Sequence, residues 1–541
     1  MRACRGVVAV AGMAMVCVTV SGQVLQRAVG TAQEEIAYGL VSSRECGFAM
    51  TGSRGISTGA QTSVLVVGMD ASGSVLWSGQ HRPPEGRTRG TSIQQMSDGG
   101  YVVGAESVFG GPTLGTYLLR LNSTGVVVWS TLVSGTAFVG ALNGGLGVGV
   151  GVRELGDGSI VAVSRVQGGG GSSAGVYARL QPTGVPIVNN VYSFAGAAAE
   201  SFVDFADVRE WRGVSNPPSD NVFVVGQARE FTAGLGFGAF VAFAARLDAA
   251  GAVTWARTYK HPVLDLAADG FCFTREGDLV LSCRVGGGIV EAGASDLALL
   301  RVRAVDGGVD WSVAATNAVT RFTNAPRGIE YLRESEEVVV AGGAETAGPV
   351  SFRNAAAAVF SATTGAFQRG RLYGVFDSAA ANSAANAVAI AGPYGHVALA
   401  GRTNDTGAGG GDVQLIRAYT SLSSGCRELE LVLISAPFAA GVETRQLVSA
   451  PGSVGQVFTQ SGVPTLLENA ACSTPRCVGD LNADGLVDDV DFSAFANAYD
   501  ILVCPTNPAF TCCAADLNTD AVVDDVDFTL FAAAYNELLC P

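Results

Sequence analysis

Two acidic segments carry the residues best suited to chemistry. Gly479-Asp-Leu-Asn-Ala-Asp-Gly-Leu-Val-Asp-Asp-Val-Asp-Phe492 returns 36 residues later as Ala515-Asp-Leu-Asn-Thr-Asp-Ala-Val-Val-Asp-Asp-Val-Asp-Phe528. Counted from Asp480, side-chain oxygens fall at positions 1, 3, 5, 9 and 12 (Asp480, Asn482, Asp484, Asp488, Asp491), with glycine at 6 and the Leu486 carbonyl at 7. A hard cation such as calcium takes about six to eight oxygens, and a sharp turn midway lets one short loop supply them. The second segment sets Asp516, Asn518, Asp520, Asp524 and Asp527 on the same positions with Val522 at 7, but has Ala521 where the glycine stood. A side chain there must accept an uncommon backbone conformation. Two calcium ions are therefore expected, the second held more weakly.

A short helix is expected after each loop, with Phe492, Phe495, Tyr499 and Phe528, Phe531, Tyr535 at i, i+3 and i+7 on one apolar face. Two such units facing each other are expected to bury all six aromatics. Both loops end in Asp rather than the Glu of an EF-hand, and no helix pattern precedes either. Cysteines flank the two units at matching positions, Cys477 with Cys513 and Cys504 with Cys540. Residues 476–541 thus resemble a type I dockerin, in the cysteine-flanked bacterial form. The resemblance implies a small α-helical calcium-binding domain that plugs into a cohesin-type or cell-surface partner. It assigns partner reading to Asp489, Val490, Asp525 and Val526 and makes the four flanking cysteines disulfide candidates. Dockerins usually carry small hydroxyls at those reading positions, so the Asp-Val pairs leave the partner's identity open.

The net charge is −15, and the stretch from Cys477 onward has twelve acidic residues and no Lys or Arg, which leaves −3 for everything before it. Acidity this localised is metal chemistry, and nothing suggests a nucleic-acid partner. Lys260 is the sole lysine, so lysine-based catalysis has almost nowhere to sit. Arg2 and Arg5 precede an apolar run from Val7 to Val20 and then small residues, which reads as a secretory signal over residues 1–32. That run is short for a bilayer span, and no later segment is a better one. The ten cysteines beyond Cys4 and Cys17 then sit in an oxidising, extracellular setting and are expected to be mostly disulfides.

Between residues 33 and 430 one pattern keeps returning. Strand-like runs begin at Gly47, Gly100, Ser159, Asn221, Asp278, Glu337 and Gly395, each followed by two more strands around a turn glycine. Those glycines are Gly73, Gly125, Gly184, Gly251, Gly307, Gly365 and Gly425. Seven copies of a unit with three or four short antiparallel strands predict a mainly β fold, a seven-bladed β-propeller. Trp77, Trp129, Trp255 and Trp311 stand four residues after their turn glycines, with Val188 and Phe367 as stand-ins. This Asp-x-x-Gly-x-x-x-Trp signature resembles bacterial propeller repeats related to the tryptophan-docked quinoprotein type, and the tryptophans are read as inter-blade packing. A ring brings Cys46 beside Cys426, which predicts a disulfide stapling the closure, and Cys272 and Cys283 are candidates for a bridge between neighbouring strands. Residues 431–475 are expected to complete or cover the last blade and to end in a linker.

Catalytic signatures are absent from the sequence. His81, His261 and His396 lie in different repeats without zinc-ligand spacing, and no nucleophile elbow or phosphate loop occurs. A glycosidase needs two carboxylates about 5 to 10 Å apart; Asp204, Asp207, Glu210, Asp265 and Glu330 are candidates at blade starts, where they could face a central channel. Arg209, Trp211 and Arg212 form the best candidate recognition patch. The favoured function is therefore a secreted non-catalytic binding or scaffold protein, its propeller presenting a recognition face and its tail docking it. The alternative is a polysaccharide-degrading hydrolase or lyase delivered by its dockerin, with polysaccharide a candidate ligand either way. A quinone-dependent dehydrogenase is more distant, since no cofactor signature accompanies the repeat.

Overall fold

The computed structural model describes residues 25–537 apart from 46, 56–61, 84–86, 109–113, 135–149, 168–172, 195–201, 212–220, 230, 233–235, 287–295, 317–319, 323–327, 347–352, 375–382, 392–395, 405–410, 425–427, 452, 457–459, 463, 465, 474–478, 482–486, 502–514, 516 and 518–522. The fold is mainly β and ends in two short helices. Val, Ala and Leu dominate the strands, and their buried side chains build a chain of apolar clusters between successive sheets.

The strands form seven antiparallel four-stranded units. The first pairs Glu35–Ser42, Phe48–Arg54, Ser63–Met69 and Val75–Arg82 in sequence order. The next six open with Arg87–Gln95, Gly151–Glu154, Phe202–Glu210, Asp265–Phe273, Gly328–Leu332 and Ala384–Ala391. Each opening strand packs on that of the following unit, and the seventh packs back on the first. At that return Arg417 Nη1 donates to the Ala71 carbonyl (3.0 Å), Asn386 Nδ2 donates to the Ala37 carbonyl (2.8 Å), and Arg402 pairs with Glu34 (3.2 Å). The seventh unit takes its fourth strand, Leu25–Gly30, from the other end of the chain.

This last strand corrects the leader's boundary. Residues 25–30 lie inside the segment expected to be removed, yet they pair with Asp412–Ala418 on one side and Leu467–Ser473 on the other. Any cleavage compatible with this fold precedes Leu25; the apolar run itself lies outside the described residues.

Residues 428–473 do not merely finish the last unit. They add a fifth, outer strand to all seven. Glu428–Glu430 pairs with the sixth unit, Ile434–Pro437 with the fifth, Gly441–Thr444 with the fourth and Leu447–Pro451 with the third. Ser453–Gln456, Gln460–Gly462 and Leu467–Ser473 then pair with the second, first and seventh. The chain thus runs backwards along the whole series as a belt, covering the edge each unit would otherwise leave unpaired.

The tryptophans pack as read from the sequence, on the turn of the following unit. A Cβ on Gly125 would stand 2.4 Å from Trp77, on Gly184 2.9 Å from Trp129, on Gly307 3.0 Å from Trp255 and on Gly365 2.8 Å from Trp311. The indole nitrogens of Trp129, Trp255 and Trp311 donate to carbonyls of Pro182, Ala304 and Ala362 in those turns (2.8, 3.0 and 3.2 Å). On Gly251 the packing group is not Val188 but Tyr192, four residues on, whose hydroxyl donates to the Gly251 carbonyl (2.5 Å). Gly425, the expected seventh turn glycine, lies outside the described residues. In the seventh unit Leu422, at φ +68°, takes the corner of the Tyr419–Ser423 turn that matches Asp70–Ser74; it fills the core below, so an apolar side chain stands where the others use glycine. Because Gly125 is at φ +80° and under the Trp77 ring, Gly125→Ala should destabilise the protein by about 1–3 kcal/mol through backbone strain and the displaced ring. An unchanged denaturation midpoint would contradict that packing account.

Cys272 and Cys283 do not bridge. Both are buried and free, and the register pairs Cys272 with Val280 and Cys283 with Ala268, which puts the two thiols on opposite faces of one sheet. Cys46, Cys426, Cys477, Cys504, Cys513 and Cys540 lie outside the described residues.

In the tail, α1 (Asp489–Ile501) and α2 (Asp525–Glu537) start as their sequences require. Asp488 caps α1 by accepting from Val490 N (2.9 Å), and Asp491 reaches back to accept from Asp488 N (2.9 Å). Asp524 and Asp527 repeat both bonds on α2 (2.8 and 3.0 Å). These are reciprocal capping boxes with Asp in the acidic position. Phe495 and Phe531 stack at 4.8 Å and are buried, but the expectation for all six aromatics fails at Phe492 and Phe528, which stay nearly half exposed.

Candidate functional site

The opening strands position a polar channel. One group from every unit lines it, including Tyr38, Thr91, Arg153, Asp207, Asp269, Glu330 and Val388, around about 630 Å³ of free space. Five of these strands slip register at the same place, leaving Tyr38, Thr91, Ala206, Asp269 and Asn386 unpaired in the ladder. A bulge re-aims the residue it frees. Four of the five freed residues line the channel.

Arg209 organises its charges. Its Nη1 lies 3.0 Å from Glu330 Oε1 and its Nε 3.4 Å from Asp207 Oδ2, while Nη2 donates to the Ile329 carbonyl (3.2 Å). Burial disfavours the charged form, yet Glu330 and then Asp207 overcome it and raise the guanidinium's pKa. Arg153 is compensated less well: its closest carboxylate is Asp207 at 3.7 Å, and burial pulls its pKa down. Asp269 is held by Arg284 through two bonds (2.7 and 3.1 Å). Of the carboxylates picked out in the sequence, only Asp207 and Glu330 come together here. Asp204 is fully buried between Arg165, Ser173 and Gln227, Glu210 accepts from Gly156 N (2.7 Å), and Asp265 accepts from Phe240 N (2.9 Å).

Arg209 and Glu330 also form the edge of a larger hollow over the fourth, fifth and sixth units. It is lined further by Trp211, Phe273, Tyr331, Arg275, Arg333, Glu334 and Glu336 and holds about 1840 Å³ of space open to solvent. The expected pairing of Arg209 with Trp211 is found in its wall; Arg212 lies outside the described residues. Trp211 rests on Gly277 and on Phe273 (5.2 Å), so it is a fixed wall rather than a mobile platform. Three arginines face three glutamates in this hollow, so it carries no net charge. The Cys272 thiol at its base is pushed well above the usual range by burial, which leaves it a poor nucleophile. His81 and His396 are buried within strands and His261 packs on Phe438 (4.7 Å), so no histidine joins this site.

The tail holds the second candidate. Asp480, Asp491 and Asp527 are buried in a segment that contains no basic residue. Asp491 Oδ1 accepts from Leu481 N and Asp527 Oδ1 from Leu517 N (2.6 Å each), so each twelfth-position carboxylate ties the start of its loop to its end. Among the described residues no three acidic, histidine or cysteine side chains gather around one point. Asn482, Asp484, Leu486, Asp516, Asn518, Asp520 and Val522 lie outside the described residues. The donor set, carboxylate and amide oxygens at calcium-loop spacing, is of the kind a hard cation takes. Asp489, Val490, Asp525 and Val526 are exposed at the helix starts.

No family model and no curated protein matches this chain. Among solved structures it is similar to an ulvan lyase of polysaccharide lyase family PL25, at 10% identity and TM-score 0.40 over 73% of this chain and 94% of that one. It is also similar to the quinohemoprotein alcohol dehydrogenase of Comamonas testosteroni, at 10% identity and TM-score 0.35 over 66% and 65%. An endo-1,5-α-L-arabinanase of Thermotoga petrophila RKU-1 follows at 12% identity and TM-score 0.24, over 73% and 100%. Likenesses this distant assign neither a family nor an activity.

Proposed function

We propose that the seven units are the blades of a closed β-propeller whose hollow binds polysaccharide, on a secreted protein held to a cohesin-type or cell-surface partner by its dockerin-like tail. The observation that carries the binding reading is the hollow's lining. Aromatic faces stack on sugar rings, and interleaved guanidinium and carboxylate groups exchange hydrogen bonds with hydroxyls, while the balanced charge favours a neutral chain over an acidic one. The cyclic packing of opening strands and the bonds returning from the seventh unit to the first support closure. Affinity electrophoresis of the oxidised protein through neutral and acidic polysaccharides tests this reading. Retardation by at least one neutral polymer is expected, and none by any polymer would refute it.

Calcium is the proposed cofactor of the tail, one ion per loop. Asp480, Asn482, Asp484, the Leu486 carbonyl, Asp488 and Asp491 would hold the first, and their counterparts from Asp516 to Asp527 the second. The bound ion neutralises carboxylates that otherwise repel one another. The chain's own contribution is orientation: Asp491 and Asp527 fix loop ends by accepting backbone N–H groups.

One observation favours cleavage as a second reading: Asp207 and Glu330 face the same channel and share Arg209. New reducing ends or unsaturated products, lost in Glu330→Gln, would establish it. Binding without turnover would leave the non-catalytic reading standing.

A further inference from the structure

At the lip of the hollow, the first turn of the sixth unit departs from its counterparts. In the second, third and fifth units the first two strands join through three residues, closed by Met96 N on the Gly100 carbonyl, Leu155 N on that of Ser159 and Thr274 N on that of Asp278. Each has glycine at the corner, with Gly99, Gly158 and Gly277 at φ +84°, +82° and +93°. In the sixth unit Leu332 pairs with Glu337, four residues lie between them, and Glu336 holds the corner at φ +53°. A long side chain therefore sits in the left-handed region that the other turns give to the residue adopting it without strain. The Glu336 carbonyl accepts from Ala362 N (3.0 Å), a bond glycine would make equally well, so it does not account for the carboxylate. All four turn residues, Arg333 to Glu336, are exposed and line the hollow, and the Glu336 carboxylate faces Arg275 of the fifth unit at 4.0 Å. An exposed ion pair at that distance adds little stability. The corner residue thus strains the backbone without a matching gain in the fold, and it does so in the wall of a cavity.

We propose that Glu336 is a ligand-binding residue of the hollow, its carboxylate accepting hydrogen bonds from two neighbouring hydroxyls of a neutral sugar unit while Arg275 donates from the facing turn. The inference rests on the binding reading above and adds to it the residue that reads the sugar and the groups it reads. An ionised carboxylate offers two acceptor oxygens and no donor, which suits a pair of adjacent hydroxyls. Bonds to a charged acceptor are also stronger than neutral ones. Tyr331 stands in the same wall with its ring against the core, so an aromatic face lies beside the carboxylate and the guanidinium. Strain kept at a cavity wall is what a site under selection for binding retains and selection for stability alone would remove.

The test compares full-length, oxidised wild type with Glu336→Gly and Glu336→Gln by affinity electrophoresis in a neutral polysaccharide that retards the wild type, with a melting temperature for each. Glu336→Gly is expected to weaken binding about tenfold or more, the loss of a charged acceptor, while its melting temperature holds or rises because glycine takes the corner without strain. Glu336→Gln keeps the backbone strain and the side-chain volume but not the charge, and should weaken binding about threefold or more. Undiminished binding by Glu336→Gly would overturn the assignment and leave the hollow's binding reading intact. A clearly lowered melting temperature in that variant would make the residue structural and overturn the assignment as well. A wild type that no neutral polymer retards would remove the binding reading itself, and the role of Glu336 with it.

Discussion

Ala28→Pro is expected to lower the apparent stability by on the order of 3 kcal/mol or more, among the largest effects of any single substitution. Ala28 is buried in the centre of Leu25–Gly30, opposite Gln414 on one side and Asn469 on the other. That strand joins the start of the chain to the seventh unit and seats the last strand of the belt. Proline removes a ladder donor and its ring crowds the neighbouring strand, so the damage reaches both pairings. Hydrogen exchange should show protection lost along 25–30 and 467–473 together. Wild-type protection and an unchanged midpoint would mean that the N-terminal strand does not close the fold.

Chelation of calcium is expected to abolish the helicity of α1 and α2 while leaving the β-sheet signal intact. Asp480, Asp491 and Asp527 are buried, and the stretch from Cys477 onward carries twelve acidic residues. Without a cation the like charges of each loop repel one another, which should loosen the loop ends and the bonds that start the helices. Asp491→Ala removes a proposed ligand and the capping acid at once, so loop 1 affinity should fall on the order of 100-fold or more, beyond what loss of an outer-shell partner costs. Circular dichroism in chelator and in calcium reads the first effect and calorimetry the second. Equal helix content in both conditions would contradict a metal-dependent fold.

What the sequence made legible follows from which signals are local. The first six turn glycines and the tryptophans that pack on them each depend on a few neighbouring residues, and these read as expected. The opening strands were missed because the bulges at Tyr38, Thr91, Ala206, Asp269 and Asn386 interrupt their alternation, and the residues freed there are mostly those that line the channel. Periodicity fails where the strands serve the site. The belt was illegible for another reason. Its strands are short, and they gain structure only from edges in seven different units, far away in sequence. Leu422 shows the limit of a residue-type rule: a turn recognised by its glycine was displaced when leucine took the same backbone conformation to fill the core. At the site, Asp207, Arg209, Trp211 and Glu330 were within reach of the sequence, while the roles of Arg153, Tyr331 and Arg333 depend on packing between units.

The most direct test of the account is calorimetric titration of the full chain with oligosaccharides from a neutral polymer that retards it, comparing wild type with the double variant Tyr331→Ala, Arg333→Ala. Both residues line the hollow; Arg333 is exposed and Tyr331 partly so with its ring against the core, so the variant's melting temperature is compared with that of Tyr331→Phe to separate lost binding from lost fold. Loss of an aromatic face and a guanidinium is expected to weaken binding about tenfold or more. Undiminished affinity in the variant would place the ligand elsewhere and contradict the proposal that this hollow is the binding site.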